Sequence, residues 1–333
     1  MKKEFFGTLP TGENVHSYSI KGKNTNAAII DYGATVNSFV AFGKDIIGGF
    51  DTIDPYLENP GCQGNTIGRV SNRIKNSRFT IDGVEYKVVT NNKSHCLHGG
   101  MFFNHTVWNV VAHSESSITL TYTSPDGEGG FPGELKATVT YSIIDDALAI
   151  DYKAIADKKT PIGLTNHSYF NLDGFGGDIK EHKLKIFAKT YTEADSEIVP
   201  TGNHPDVVGT PFDFSELRRI GDGMENGLSG YDHNFVLSPE VYADYLGKNL
   251  GLAAIVENDS LRLSVYTDQP GVQLYTGNGL AGNADFKGGV KAVKYGGLCL
   301  ETQNEPNSVN RGIGIYDAGE EYTHTCVYKV ERK

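Results

Sequence analysis

The sequence has no block of basic residues and no long apolar run. Lys and Arg number 30 against 41 Asp and Glu, a formal net charge of −11. A chain of that sign without a basic patch is a poor partner for nucleic acid or an anionic membrane. No stretch approaches the ~18 apolar residues of a membrane-crossing helix. The start, "MKKEFFGTLPTG", carries lysines with no apolar segment behind them, so it does not read as a secretory signal. The cysteines, Cys62, Cys96, Cys299 and Cys326, form no Cys-x-x-Cys pair, which removes the usual zinc and disulfide frameworks. No Gly-x-Gly-x-x-Gly strand–helix unit, P-loop or His-Glu-x-x-His helix occurs. These absences predict a cytoplasmic protein that takes no metal or cofactor and binds neither nucleic acid nor membrane.

Glycine, by contrast, is abundant: 40 of 333 residues, against a usual ~7%. With no collagen-like period, the excess signals many turns between short elements. The periodicity is that of strands. In "FTIDGVEYKV" apolar residues alternate on both sides of Asp82-Gly83, a hairpin signature. "ATVTYSIIDDALAIDYKA" repeats the scheme around Asp145-Asp146. "SSITLTYTS", "HKLKIFAK" and "SLRLSVYTD" read as further strands. Helix is expected only as a turn or two after Asp213, ending at Gly221, and in "VYADYLGKN". No linker divides the chain. The expectation is an all-β fold: one large antiparallel β-sandwich domain over residues 1–333.

Five segments set polar residues in apolar or glycine-rich surroundings: "GNTIGRVSNRI", "SHCLHGG", "LTNHSYFNLDG", "GYDHNFVL" and "GLCLETQNEPN". Arg69 and Arg73 fit surface ion pairs or a fork of donors aimed at ligand oxygens. His95 and His98 have no acidic neighbour in sequence, so a hydrogen-bonding His98 before a Gly-Gly turn suits the pattern better than a metal site. His167 is either a satisfied core histidine or an acid–base group, since its ordinary pKa of ~6.5 lies near neutrality. Asp232 is a turn former or a hydroxyl partner. Glu301 closes the apolar run "GGLCL". A carboxylate there must be paired, protonated or functional, because burying a bare charge is costly.

Together with "QPGVQLYTGN", these segments resemble the aldose 1-epimerases, in the family's order, from about Gly61 to Asn310. The resemblance implies a galactose mutarotase-like supersandwich and a reaction that opens and recloses a sugar hemiacetal. By position, Glu301 in "LETQN" matches the family's base and His167 in "NHSYFNL" its acid. Asn72 and Arg73 in "SNRI", His98 in "LHGG", Asp232 in "YDHNF" and Gln273 in "GVQLYTGN" match its sugar-binding residues. One departure is His95-Cys96, where the family usually reads differently, with a change in the neighbouring pocket wall as the expected effect. The implied partner is a free monosaccharide such as galactose or glucose, acted on by a monomer or homodimer without metal or cofactor. Activity would then fall in acid as Glu301 takes a proton and in alkali as His167 loses one. Two other readings remain: a non-catalytic carbohydrate-binding sandwich, and an epimerase-like relative acting on sugar phosphates.

Overall fold

Strand alternation governs the architecture. In Leu135–Ile144 every second side chain is buried, and its neighbour Ala147–Ala156 pairs with it residue for residue. Both turn residues between them, Asp145 and Asp146, have positive φ (48° and 63°), and so do Asp82 and Gly83 in the other predicted hairpin. Two-residue loops of this kind match the twist of the strands they join.

The computed structural model describes residues 2–333. A long antiparallel sheet runs in the order Asn109–His113, Ser117–Ser124, Leu135–Ile144, Ala147–Ala156, Glu321–Arg332, Leu261–Thr267, Lys248–Glu257, Lys183–Ile186 and Arg218–Arg219. Tyr242–Tyr245 also pairs with Lys248–Glu257. Two smaller sheets lie against it. An N-terminal sheet takes the strands from Lys2–Thr8 to Lys44–Asp45 in sequence order, and a four-stranded sheet takes Ala188–Tyr191, Asp232–Leu237, Gly271–Tyr275 and Cys299–Gln303. One apolar core joins all three: Ile29 and Phe39 from the N-terminal sheet, Val139 and Tyr328 from the long one, Val272 and Leu300 from the third. Tyr328 Oη donates across the layers to the Leu300 carbonyl (3.0 Å). This is the all-β sandwich that the alternation predicts.

Both helix expectations need correction. The helix near Asp213 begins at Gly221, where it was expected to end, and spans Gly221–Glu225; Arg218–Arg219 just before it is a sheet-edge strand. "VYADYLGKN" is a hairpin turning at Leu246 and Gly247, both with positive φ. Its two tyrosines could lie on one helical face, but a turn signal of glycine preceded by a residue at φ > 0 decides for strands. Among the described residues no helix is long and apolar enough to cross a membrane.

Candidate active site

Strands and loops from both ends of the chain meet around a cavity of about 210 Å³. Glu301 enters from the middle of Cys299–Gln303, every residue of which is buried. Its cross-strand partner is Gln273. Because side chains two apart share a sheet face, Cys299 and Glu301 point the same way. Oε2 of Glu301 is buried with no hydrogen-bond partner. Burial, reinforced by the nearby Asp232 charge and opposed by Arg73, pushes this carboxyl well above the usual range.

His167 follows the two-residue strand Thr165–Asn166, which pairs with Thr66–Ile67. The surrounding amides build this junction. Asn166 Nδ2 donates to the Gly64 carbonyl (2.9 Å), Asn166 Oδ1 accepts from Ser168, and the His167 and Gly64 backbones bond Asn65 and His167 respectively. Phe170 and Leu172 anchor the segment in the core. Tyr169 instead forms pocket wall, with its hydroxyl donating to Gly61 O (2.9 Å). The mixed segment is therefore a backbone clamp that carries one imidazole into a cavity.

His167 Nε2 lies 3.6 Å from Glu301 Oε1. Burial lowers the imidazole to about 4, away from the protonated form expected from sequence. Desolvation thus drives both groups toward neutrality, so the pair as a whole holds one proton. The two titrations then belong to the pair and not to either residue alone.

His98 adopts φ 52°, and its Nδ1 accepts the Asn72 backbone N–H (3.2 Å). That bond fixes the proton on Nε2, on the pocket side. Burial keeps His98 uncharged, helped by His167 and Arg73. Asn72 itself has φ 57°, and its Oδ1 accepts the Arg73 N–H (2.8 Å). Arg73 Nε donates to Asn92 Oδ1 (3.3 Å), and the guanidinium faces the cavity beside Asp232. The ligand atoms of His98, His167 and Glu301 lie within 4.8 Å of one another. Linear spacing had pointed to no metal-ligating group, yet the fold assembles a two-histidine, one-carboxylate cluster. Its donor set also suits proton transfer.

The sequence pattern of the family described as aldose 1-epimerase matches residues 16–329. The chain belongs to the aldose 1-epimerase family. Galactose mutarotase of Rattus norvegicus is 38% identical over 336 residues, spanning 97% of this chain and 96% of its own. Aldose 1-epimerase of Escherichia coli K12 is 35% identical over 318 residues, 90% of each chain. Among solved structures, the aldose epimerase homologue from C. elegans superposes with a TM-score of 0.87 at 28% identity, covering 95% of this chain and 98% of that one.

Within this aldose 1-epimerase fold the residues singled out from sequence divide clearly. Glu301, His167, Asn72, Arg73, His98 and Asp232 line the cavity. Gln273 does not. It sits behind Asp232, with Nε2 donating to Oδ1 (2.6 Å), so it orients that carboxylate from outside the pocket. Arg69 fits neither sequence reading. It is buried, and its guanidinium donates to Ser124 Oγ and to the carbonyls of Ser124, Pro125 and Pro132. His95 and Cys96 also lie off the pocket wall. His95 Nδ1 accepts the Asn76 N–H and Cys96 packs in a small apolar cluster. Cys62, Tyr169, Tyr275 and Asn283 line the cavity without having been identified as site residues. Two of them had a sequence signal: Tyr169, two places after His167 in "LTNHSYFNLDG", and Tyr275, two places after Gln273 on a strand.

Proposed function

We propose that this chain interconverts the α and β anomers of free hexoses, with Glu301 and His167 exchanging protons with O1 and O5 of the sugar. The observation that carries the reading is the pair itself: a buried carboxyl with one unpartnered oxygen, 3.6 Å from a buried imidazole, in a cavity lined by polar side chains.

Opening a pyranose hemiacetal takes the proton from O1 and gives one to O5. Both oxygens are bonded to C1, so a base and an acid side by side reach both. Before opening, the base is Glu301 carboxylate and the acid His167 imidazolium. After opening, both are neutral. The open aldehyde turns about C1–C2 and closes on its other face as the protons return. Burial raises Glu301 and lowers His167, and both shifts favour the neutral pair that opening produces. The resting pair is neutral for the same reason, so a proton must pass from Glu301 to His167 before O1 and O5 exchange theirs. Arg73, Asn72, Asp232 and the Nε2–H of His98 are placed to hold hydroxyls, so the open sugar stays until it closes.

Galactose and glucose are the proposed substrates, and the mammalian relative's name supports the former. A single apolar core with members from Tyr18 to Val330 supports the reading of one domain. A sugar-phosphate substrate is disfavoured because Arg69 is spent on carbonyls elsewhere, leaving Arg73 as the cation on the cavity wall. The test is polarimetry of freshly dissolved α-D-galactose and α-D-glucose with the wild type and Glu301→Gln. Wild-type acceleration lost in the variant supports the proposal. A variant as fast as wild type overturns it in favour of a binding module.

A further inference from the structure

Asn283 lines the cavity at its mouth, half-buried, together with the exposed Gly279. Its backbone N–H donates to the Leu280 carbonyl (3.2 Å), but its side-chain amide bonds no group among the described residues. We propose that Asn283 is a specificity-determining residue: its amide binds the axial C4 hydroxyl of galactose and so favours that sugar over its C4 epimer, glucose. This rests on the reading that Glu301 and His167 act at C1.

The other amides around the site are already committed. Asn72 Oδ1 accepts the Arg73 N–H, and Gln273 Nε2 donates to Asp232. Asn283 keeps both its NH₂ and its carbonyl oxygen for a ligand, and a hydroxyl, donor and acceptor at once, can use either. The segment that carries it is fixed at both ends. Gly282, at φ 87°, makes the turn just before it. Upstream, Tyr275 Oη accepts the Gly279 N–H (2.9 Å), and Leu280 is buried in the apolar cluster that includes Tyr169. Downstream, Phe286 packs on Phe175 at 4.6 Å between centroids. Lys287 Nζ donates to the Ile47 carbonyl (3.1 Å) and pairs with Asp45 (3.1 Å). An amide held in one place can tell two positions of a hydroxyl apart, which an amide on a loose loop would not.

The shape of the sugar selects the hydroxyl. C1, O1 and O5 must lie at Glu301 and His167, which are 2% and 6% exposed and form the floor of the cavity. In a six-membered ring the bond opposite C1–O5 is C3–C4, so that edge faces the mouth. The C3 hydroxyl is equatorial in both sugars and does not distinguish them. An equatorial C4 hydroxyl continues in the plane of the ring, out through the mouth, where water satisfies it. An axial one leaves that plane and turns to a wall. The segment from Gly279 to Asn283 is the part of the wall that reaches the mouth beside Tyr275. C4 is remote from the bond that opens, and rotation about C1–C2 leaves it in place. The contact therefore acts on binding.

The test measures KM by polarimetry for wild type and Asn283→Ala with D-galactose, D-glucose and 4-deoxy-D-xylo-hexose, which lacks the C4 hydroxyl. In the variant, KM for galactose should rise about five- to tenfold, the loss of one hydrogen bond, with the other two sugars within about twofold. Wild type should have its lowest KM for galactose, and the variant should lose that preference. Equal rises for all three sugars overturn the proposal, since the amide would then shape the cavity without reading C4. So does an unchanged KM for galactose in the variant. A wild-type KM for the deoxy sugar as low as that for galactose overturns it without any variant. If wild type accelerates none of the sugars, the catalytic reading fails, and dissociation constants of the same three sugars, measured by calorimetry, put Asn283 to the same test.

Discussion

Two buried histidines flank the same strand, and burial lowers both to about 4. His324 lies on the far side of Cys299–Gln303. Its Nδ1 donates to the Leu164 carbonyl (3.0 Å), Thr302 Oγ1 lies 2.9 Å from Nε2, and the ring stacks on Tyr152. His167, on the near side, faces a cavity and a carboxyl with an unpartnered oxygen. Equal shifts accompany opposite situations. A perturbed pKa reports desolvation; unmet hydrogen-bonding capacity beside a cavity marks chemistry. The arginines repeat the lesson. Arg69 is saturated by carbonyls, whereas Arg73 faces the cavity.

The largest effect that would sharpen this contrast is at the open pair. Glu301→Gln and His167→Asn should each cut turnover by about 10² or more, with sugar affinity within roughly an order of magnitude. The double variant should lose far less than the product, because the groups act in one step. Equilibration rates by polarimetry measure all three. At the saturated positions the loss should be in stability. Arg69→Ala leaves several buried carbonyls without donors, and His324→Ala empties a packed site. Each should cost on the order of 2–4 kcal/mol in denaturant unfolding, with kcat per folded molecule retained. A His324→Ala enzyme that folds normally but turns over slowly would break the comparison.

Arg73→Ala is expected to act on sugar binding, raising KM by about tenfold while leaving the melting temperature near wild type. Comparable stability losses at Arg73 and Arg69 would show that both are structural.

A smaller effect concerns pH. Both histidines have folded pKa values near 4, below the unfolded ~6.5. The unfolded chain therefore takes up protons first as pH falls. The stability they contribute is whole above about 6.5 and is lost as pH drops toward about 4. Glu301 has the opposite sign. Its raised pKa gives stability below the ordinary carboxylate range that is lost as pH rises. Melting curves should thus decline from pH 7 to pH 4.5, and Glu301→Gln should melt above wild type at pH 8. The smallest effect is chelation. Exhaustive dialysis against a chelator should leave the rate unchanged. A loss restored by a divalent ion would assign the His98–His167–Glu301 cluster to a metal.

The turns were the most legible part of the sequence. Asp82-Gly83 and Asp145-Asp146 specify hairpins by local backbone preference and alternation alone. Glu301 was legible for another local reason, a carboxylate at the end of an apolar run. The misread helices show the converse. Around residues 213–221 and 241–249, turn residues resemble caps, and pairing with Lys183–Ile186 and Lys248–Glu257 overrides that signal. The destinations of Gln273 and Arg69 were hidden because each depends on a partner far along the chain. Resemblance placed Gln273 at the sugar, while its bond to Asp232 puts it one layer back.

The closeness of Glu301 and His167 has a consequence for the solvent. Under the proposed mechanism the proton taken from O1 and the proton given to O5 pass through these two fixed groups and then return, so the cycle neither takes up nor releases a hydron. Free sugars in water depend on buffer acids and bases to do the same work. The enzymatic rate should be flat with buffer concentration at constant pH, although the uncatalysed background climbs beside it.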